Sequence, residues 1–182
     1  MLFTHDTETA LQSAAALVNT LGPPDTLTTP EDLDAFVREQ GWSGRLTGER
    51  AELEEVRALR PRLTQLWELD EDAVVPRVNT LLADARALPQ LVDHDDWGWH
   101  LHAVPDDAPL ATRMAVEAAM AMVDVVRAGE LGRLRTCEAD GCEAVHVDLS
   151  RNRSRRFCST SCGNRMAAAA YRERQAHQED PA

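Results

Sequence analysis

The sequence predicts a mainly α fold: a helical N-terminal domain with one small β-hairpin, followed by a compact module clipped together by cysteines. Three observations predict it. Apolar residues in the first 130 positions recur at three- and four-residue spacing between helix start and stop signals. All four cysteines fall between positions 137 and 162. The charge is divided as well: residues 1–130 hold 10 Arg against 24 acidic side chains, whereas 131–182 hold 9 Arg against 7. A chain of 182 residues has room for one ordinary core and a small appendage.

The first helix is expected over 8–21, where Ala10, Leu11, Ala14, Leu17, Val18 and Leu21 share a face and Gly22-Pro23-Pro24 ends the run. Thr29-Pro30-Glu31-Asp32 starts a second helix, with a capping hydroxyl, proline at the first helical position and acids that complement the dipole. Leu33, Phe36 and Val37 form its stripe, and Gly41 stops it. A longer helix begins near Thr47 and carries Leu53, Val56, Leu59, Leu63 and Leu66, with Pro61 expected to kink or divide it. A fourth, near 72–88, presents Val75, Val78, Leu81, Leu82 and Ala85. A last body helix runs from about Asp107 to Ala128, with Gly129 suited to its C-cap.

Between the last two helices the period changes. Trp99, Leu101 and Ala103 alternate with His100, His102 and Val104, which predicts a strand paired with Leu91-Val92 across Asp95-Asp96-Trp97-Gly98. Two readings of this hairpin stand. His100 and His102, with His94, Asp95 and Asp96 opposite, have the residue types of a second metal site. The favoured reading makes the histidines the wet face while Trp99 and Leu101 enter the core. Trp42, Trp67, Trp97 and Trp99 are likewise expected in the core rather than around a ligand.

The cysteines read Cys137-x4-Cys142-x15-Cys158-x3-Cys162. Two close pairs supply four thiolates to one point, as a tetrahedral Zn²⁺ requires, so one zinc per chain is expected. Two disulfides are the rival pairing, but residues 1–30 lack the basic start and apolar stretch of an export signal. No stretch approaches a membrane span, so a cytoplasmic chain is expected. No Gly-rich phosphate loop, G-x-S-x-G elbow or H-E-x-x-H helix is present, and an enzyme built on the 94–102 hairpin ranks last.

Residues 136–174 read as a knuckle, a hairpin and a helix, the order of a treble-clef finger. Cys137 to Cys142 forms the knuckle, 144–148 a strand, 150–154 a turn and 155–157 the return. Ser159 or Thr160 caps a helix that contains Cys162 and runs toward Arg174. Residues 149–174 hold 7 Arg and one acid, and the chain has no lysine, so an anionic partner for this end is indicated.

Cys162-Gly163-Asn164-Arg165, together with C-E-A-D-G-C at 137–142, D-L-S-R-N-R at 148–153 and R-R-F-C-S at 155–159, resembles the CGNR zinc-finger family. Leu17-Val18-Asn19-Thr20, T-P-E-D-L at 29–33 and Arg57-Ala58-Leu59-Arg60 resemble the ABATE domain that precedes this finger in bacterial members. The resemblance implies a stress-linked transcription regulator in which the finger binds DNA and the helical domain senses a small-molecule effector; it carries over no catalytic residues. One departure stands out: after Arg165 the family's helix is often basic, whereas here Met166 is followed by four alanines.

The expected division is 1–130 for the helical sensor-like domain, 131–175 for the treble-clef-like four-cysteine zinc finger and 176–182 for a disordered tail. Cys137, Cys142, Cys158 and Cys162 are the expected zinc ligands. Arg151, Arg153, Arg155 and Arg156 are expected on phosphates of double-stranded DNA, Arg165 or Arg172 at a base edge, and Asn164 is a further expected DNA contact. Arg165 and Arg172 lie on one helix face, about 10 Å apart along the axis. An alternative use of Asn164 and Arg165 is to brace the knuckle on backbone carbonyls. RNA is disfavoured because only Phe157 and Tyr171 are available for stacking. The runner-up function is a zinc-stabilised protein-interaction module that does not touch nucleic acid. A homodimer is compatible with either.

Overall fold

The computed structural model describes residues 3–93 and 98–179, with side chains as far as 175. Along the chain run α1 (His5–Asn19), α2 (Pro30–Glu39), α3 (Arg50–Glu68), α4 (Glu71–Asp84), β1 (Gln90–Asp93), β2 (Trp99–His102), α5 (Leu110–Arg127), a 3-10 turn (Leu131–Arg133), β3 (Leu134–Thr136), β4 (Val145–Val147) and α6 (Thr160–Glu179). The backbone of α6 continues through 176–179, where the sequence reading placed the tail.

The centre belongs to α5. Its sequence is apolar on nearly every face, and such a helix has to be surrounded. Met114, Ala115, Val116, Ala118, Ala119, Ala121, Met122 and Val125 are all buried, with α1, α3 and α4 packed around them. The stripes read from the sequence supply the facing side: Leu11, Leu17 and Val18 of α1, Leu53, Val56, Leu63 and Leu66 of α3, and Val74, Val78 and Leu81 of α4 are buried. The Thr29 hydroxyl accepts the Asp32 N–H while Asp32 accepts the Thr29 N–H, a complete capping box for α2.

Pro61 does not divide α3, which is continuous from Arg50 to Glu68. The proline leaves one carbonyl without its helical donor, but Leu59, Leu63 and Leu66 on either side are buried in the core and hold one axis. Leu21 falls beyond the end of α1 and is exposed.

The first hairpin forms in the expected pairing, with Leu91 opposite Leu101 and Val92 opposite His100, but its faces are inverted. Trp99 is 73% exposed and Leu101 39%, while His100 is only 8% exposed. Alternation establishes that a strand has two faces, not which one turns inward. Here the inward face meets a polar cavity rather than aliphatic core, so imidazoles fit it better than indole. His94, Asp95, Asp96 and Trp97 lie outside the described residues.

The second hairpin also departs from expectation. β4 pairs with β3, which precedes the knuckle, in the register Leu134–Val147, Arg135–His146 and Thr136–Val145, and 155–157 is not a strand. The knuckle reverses the chain, so its two flanks come together. The segment after β4 is instead gathered around one carboxylate: fully buried Asp148 accepts the N–H groups of Ser150 and Arg155, both at 2.9 Å. Leu134, Val145 and Val147 enter the same core as the helices.

Candidate metal centre

The knuckle and the first turn of α6 deliver four sulfurs to one place. Gly141 takes φ +69° in the knuckle, a conformation glycine adopts without a side-chain penalty. Ser159 caps α6, its hydroxyl accepting the Cys162 N–H at 3.2 Å. All four Sγ atoms lie within 4.8 Å of one another. Cys142–Cys158, Cys158–Cys162 and Cys162–Cys142 are separated by 3.8, 3.7 and 3.8 Å. A tetrahedral ion with metal–sulfur bonds of about 2.3 Å has edges of about 3.8 Å. The donor set therefore fits one zinc ion. Disulfide bonds would need sulfurs about 2 Å apart, and all four cysteines are free.

The electrostatics favour the same ion. Burial, with the neighbouring sulfurs of Cys137, Cys162 and Cys142, pushes the Cys158 thiol up to about 12. At Cys137 burial also raises the thiol, but the backbone N–H groups of Cys158 and Ala139 more than offset it and leave it at about 7. Sulfurs packed this closely resist shared ionisation, and a divalent cation removes that cost. With all four positions taken by cysteine, zinc here supplies folding energy and leaves no open position for chemistry. Phe157 and Met166 pack beside the sulfurs. His146 is not part of this cluster: it is buried, and its Nε2 lies 3.2 Å from the Arg155 carbonyl.

The basic residues around the centre divide into committed and uncommitted groups. Arg153 pairs with Glu130 at 2.8 Å and Arg156 with Glu138 at 2.6 Å. Arg155 donates to the carbonyls of Phe157 and Cys158 at 3.1 and 2.6 Å. Arg165 reaches the Asp140 carbonyl at 3.1 Å, which is the bracing role weighed above. Asn164, Arg151 and Arg172 are exposed, with no side-chain hydrogen bond or ion pair among the described residues. Ala167 to Ala170 are half-buried or exposed, so α6 projects beyond Met166 with a smooth small-residue side.

Several contacts that build this end were not foreseen from the sequence. The Asn19 side chain, at the end of α1, accepts the Val145 N–H at 2.8 Å and donates to the Val145 carbonyl at 2.9 Å, pairing like one more strand residue. Trp67 donates its indole N–H to the His146 carbonyl at 3.1 Å. Buried Arg133 holds the carbonyls of Asp148 and Ser150, both at 2.8 Å, and pairs with Glu130 at 2.6 Å. An Asn at a helix end and a D-x-S turn were the available signals, and neither identifies a distant partner.

A second feature lies in the helical body. A cavity of about 340 Å³ opens between α1, β2 and α5. Trp42 forms part of its wall and donates to Ser13 at 2.9 Å. The buried Arg113 guanidinium turns away to the carbonyls of Ser43, Arg45 and Ala108. Glu117 is pushed up to about 7 by burial and by the Asp6 charge. His100 and His102 complete the polar side.

No described helix is long and apolar enough to cross a membrane. No curated protein matches the chain. Residues 133–175 match the family model for the CGNR zinc finger, and residues 11–129 match the ABATE model, described as "Putative stress-induced transcription regulator". Neither description is that of an enzyme. Since the larger match covers more than half of the sequence and the sulfur cluster sits inside the smaller one, the chain belongs to the ABATE family and ends in a CGNR zinc finger.

Proposed function

We propose that this protein is a DNA-binding transcription regulator. Its treble-clef-like finger, over 131–175, meets the duplex, and its helical body, over 1–130, receives a small effector in the cavity between α1, β2 and α5. The observation that carries the reading is the projecting face of α6. Arg172 stands there uncommitted beside a strip of alanines small enough for close approach, and Arg151 is free on the neighbouring loop. Arg153, Arg155 and Arg156 join them by exchanging internal partners for phosphates, while Arg165 remains with the knuckle. Effector control is supported by α1, which lines the cavity with Asp6, Thr9 and Ser13 and ends at Asn19, the residue that grips β4 of the finger. A shift of this one helix would be felt at both places.

A second reading, a zinc-stabilised protein-interaction module, is favoured by the internal neutralisation of Arg153 and Arg156 and by the exposure of Tyr171 on α6. Titration of zinc-loaded protein into a duplex library at several salt concentrations separates the two. The DNA reading expects affinity that falls steeply with salt, and the doubly substituted Arg151→Ala, Arg172→Ala protein should lose about one to two units of salt slope. Salt-independent or absent binding, with zinc retained, would favour the interaction module.

A further inference from the structure

The cavity carries one arrangement that strand alternation does not require. His100 and His102 are two apart on β2, so their rings share the face turned toward the cavity. Their Nε2 atoms are 3.2 Å apart. The other nitrogen of each ring faces an oxygen: His100 Nδ1 lies 2.8 Å from the Gly98 carbonyl, and His102 Nδ1 lies 3.4 Å from Asp106 Oδ1. A carbonyl only accepts hydrogen bonds, so Gly98 holds a proton on His100 Nδ1, and the Asp106 carboxylate, within ion-pair range, favours one on His102 Nδ1. In the neutral rings the lone pairs are then both on Nε2, and they converge. Metal-binding histidines are oriented in this way, with the far nitrogen held by a carbonyl or carboxylate. Two nitrogens bound at about 2.0–2.1 Å are separated by about 2.9 Å at a right angle and about 3.4 Å at the tetrahedral angle. The observed spacing falls between these limits.

We propose that His100 and His102 form a two-nitrogen site for a divalent transition-metal ion in the body cavity, separate from the zinc of the finger. Imidazole nitrogen suits zinc, nickel, copper and iron rather than calcium or magnesium. The surroundings favour a cation: Asp6, Asp106 and Glu117 line the same cavity, and the one guanidinium there, Arg113, is engaged by three carbonyls. In the proposed site, water, a cavity carboxylate or a small ligand completes the coordination. This deepens the reading of the cavity as the effector site, and on that reading the ion is the effector or part of it.

The probe is Ni²⁺, titrated calorimetrically into untagged, full-length, zinc-loaded protein, with elemental analysis of the product. We expect one nickel per chain bound in addition to one retained zinc. His100→Gln and His102→Gln should each weaken nickel binding more than about a hundredfold with the zinc still in place, which also verifies that the variants are folded. Asp106→Asn, which keeps both nitrogens, should weaken it about ten- to a hundredfold by releasing the His102 ring. Absence of nickel binding at millimolar concentration would overturn the proposal, since the two rings would then share only a proton. So would binding that the two histidine variants leave unchanged, or nickel taken up only in exchange for the zinc held by the four cysteines. Repeating the duplex titration with nickel present separates this from the reading on which it rests. Nickel binding without any change in DNA affinity would keep the site and reject the ion as effector.

Discussion

Replacing Asn19 with alanine should loosen the attachment of the finger to the body and cost a measurable part of the stability of the protein. The side chain makes two hydrogen bonds with one residue, at 2.8 and 2.9 Å, to the N–H and carbonyl of Val145. Val145 is buried, its own side chain part of the shared core, but Asn19 is exposed, so water reaches the place its amide leaves and replaces part of the lost bonding. Each such hydrogen bond contributes about 0.5–1.5 kcal/mol net where water can take the partner's place, which puts Asn19→Ala at about 1–3 kcal/mol for the pair. Against a typical total of about 5–15 kcal/mol that is appreciable. Asn19→Asp should be no rescue: it keeps an acceptor for the Val145 N–H but sets a charge against the carbonyl. Urea denaturation at fixed excess zinc, followed by tryptophan fluorescence, measures the loss, since Trp67 bonds the adjacent His146 carbonyl. A loss below about 0.5 kcal/mol for Asn19→Ala, with an unchanged denaturant slope, would refute the claim that this contact fastens the hairpin.

Two more perturbations address the body. Glu117, held at about 7 against an ordinary value of 4.5, sits among Asp6 from α1, His100 and His102 from β2, Asp106 and Arg113. Because its folded-state value is raised, its contribution is complete below about pH 4.5 and is lost as pH rises through 7, by about 3 kcal/mol. Glu117→Gln should lack this slope, so denaturation midpoints of the two proteins should diverge between pH 5 and pH 8, and parallel curves would contradict the assignment. Gly44 takes φ +88°, and a Cβ there would lie 2.6 Å from both Arg113 Nη1 and the Asp106 carbonyl oxygen. Gly44→Ala should therefore cost about 2–4 kcal/mol, against about 1 kcal/mol for Gly48→Ala, which has the same backbone hand but open space; equal losses by thermal melting would show that the clash is relieved.

The parts of the fold governed by local rules were legible. The helical stripes, the Thr29 capping box, the α6 cap at Ser159 and the convergence of four cysteines all follow from spacing and short-range hydrogen bonding. What was not legible depends on neighbours distant in sequence. Pro61 is tolerated because one face of α3 is buried on both sides of it, at Leu53, Val56, Leu59, Leu63 and Leu66, which no window around residue 61 reveals. The β1–β2 pairing was visible, but its facing was set by a polar cavity built from α1 and α5, so Trp99 and His100 exchanged their expected places. The finger hairpin was assigned to the wrong partner because a metal knuckle can join strands on either side of it, and only Asp148 decides that the later segment is a loop.

The residues that carry the family resemblance are largely joints. Asn19 fastens α1 to β4, and Thr29 caps α2. Arg60 makes a two-bond pair with Asp25, at 2.8 and 2.9 Å, that holds the Asp25 carboxyl down at about 2. Asp148 gathers the loop after β4, and Arg165 braces the knuckle. Such residues explain why the chain has this fold and say little about what it reads. The outer part of α6, where Ala167 to Ala170 and Arg172 stand free, is where the sequence departs from the basic helix of the family. If the finger discriminates among DNA sequences, the residues that do so are expected on that departing surface, and transplanting a basic stretch there should raise affinity for all duplexes while leaving the sulfur cluster and its zinc untouched.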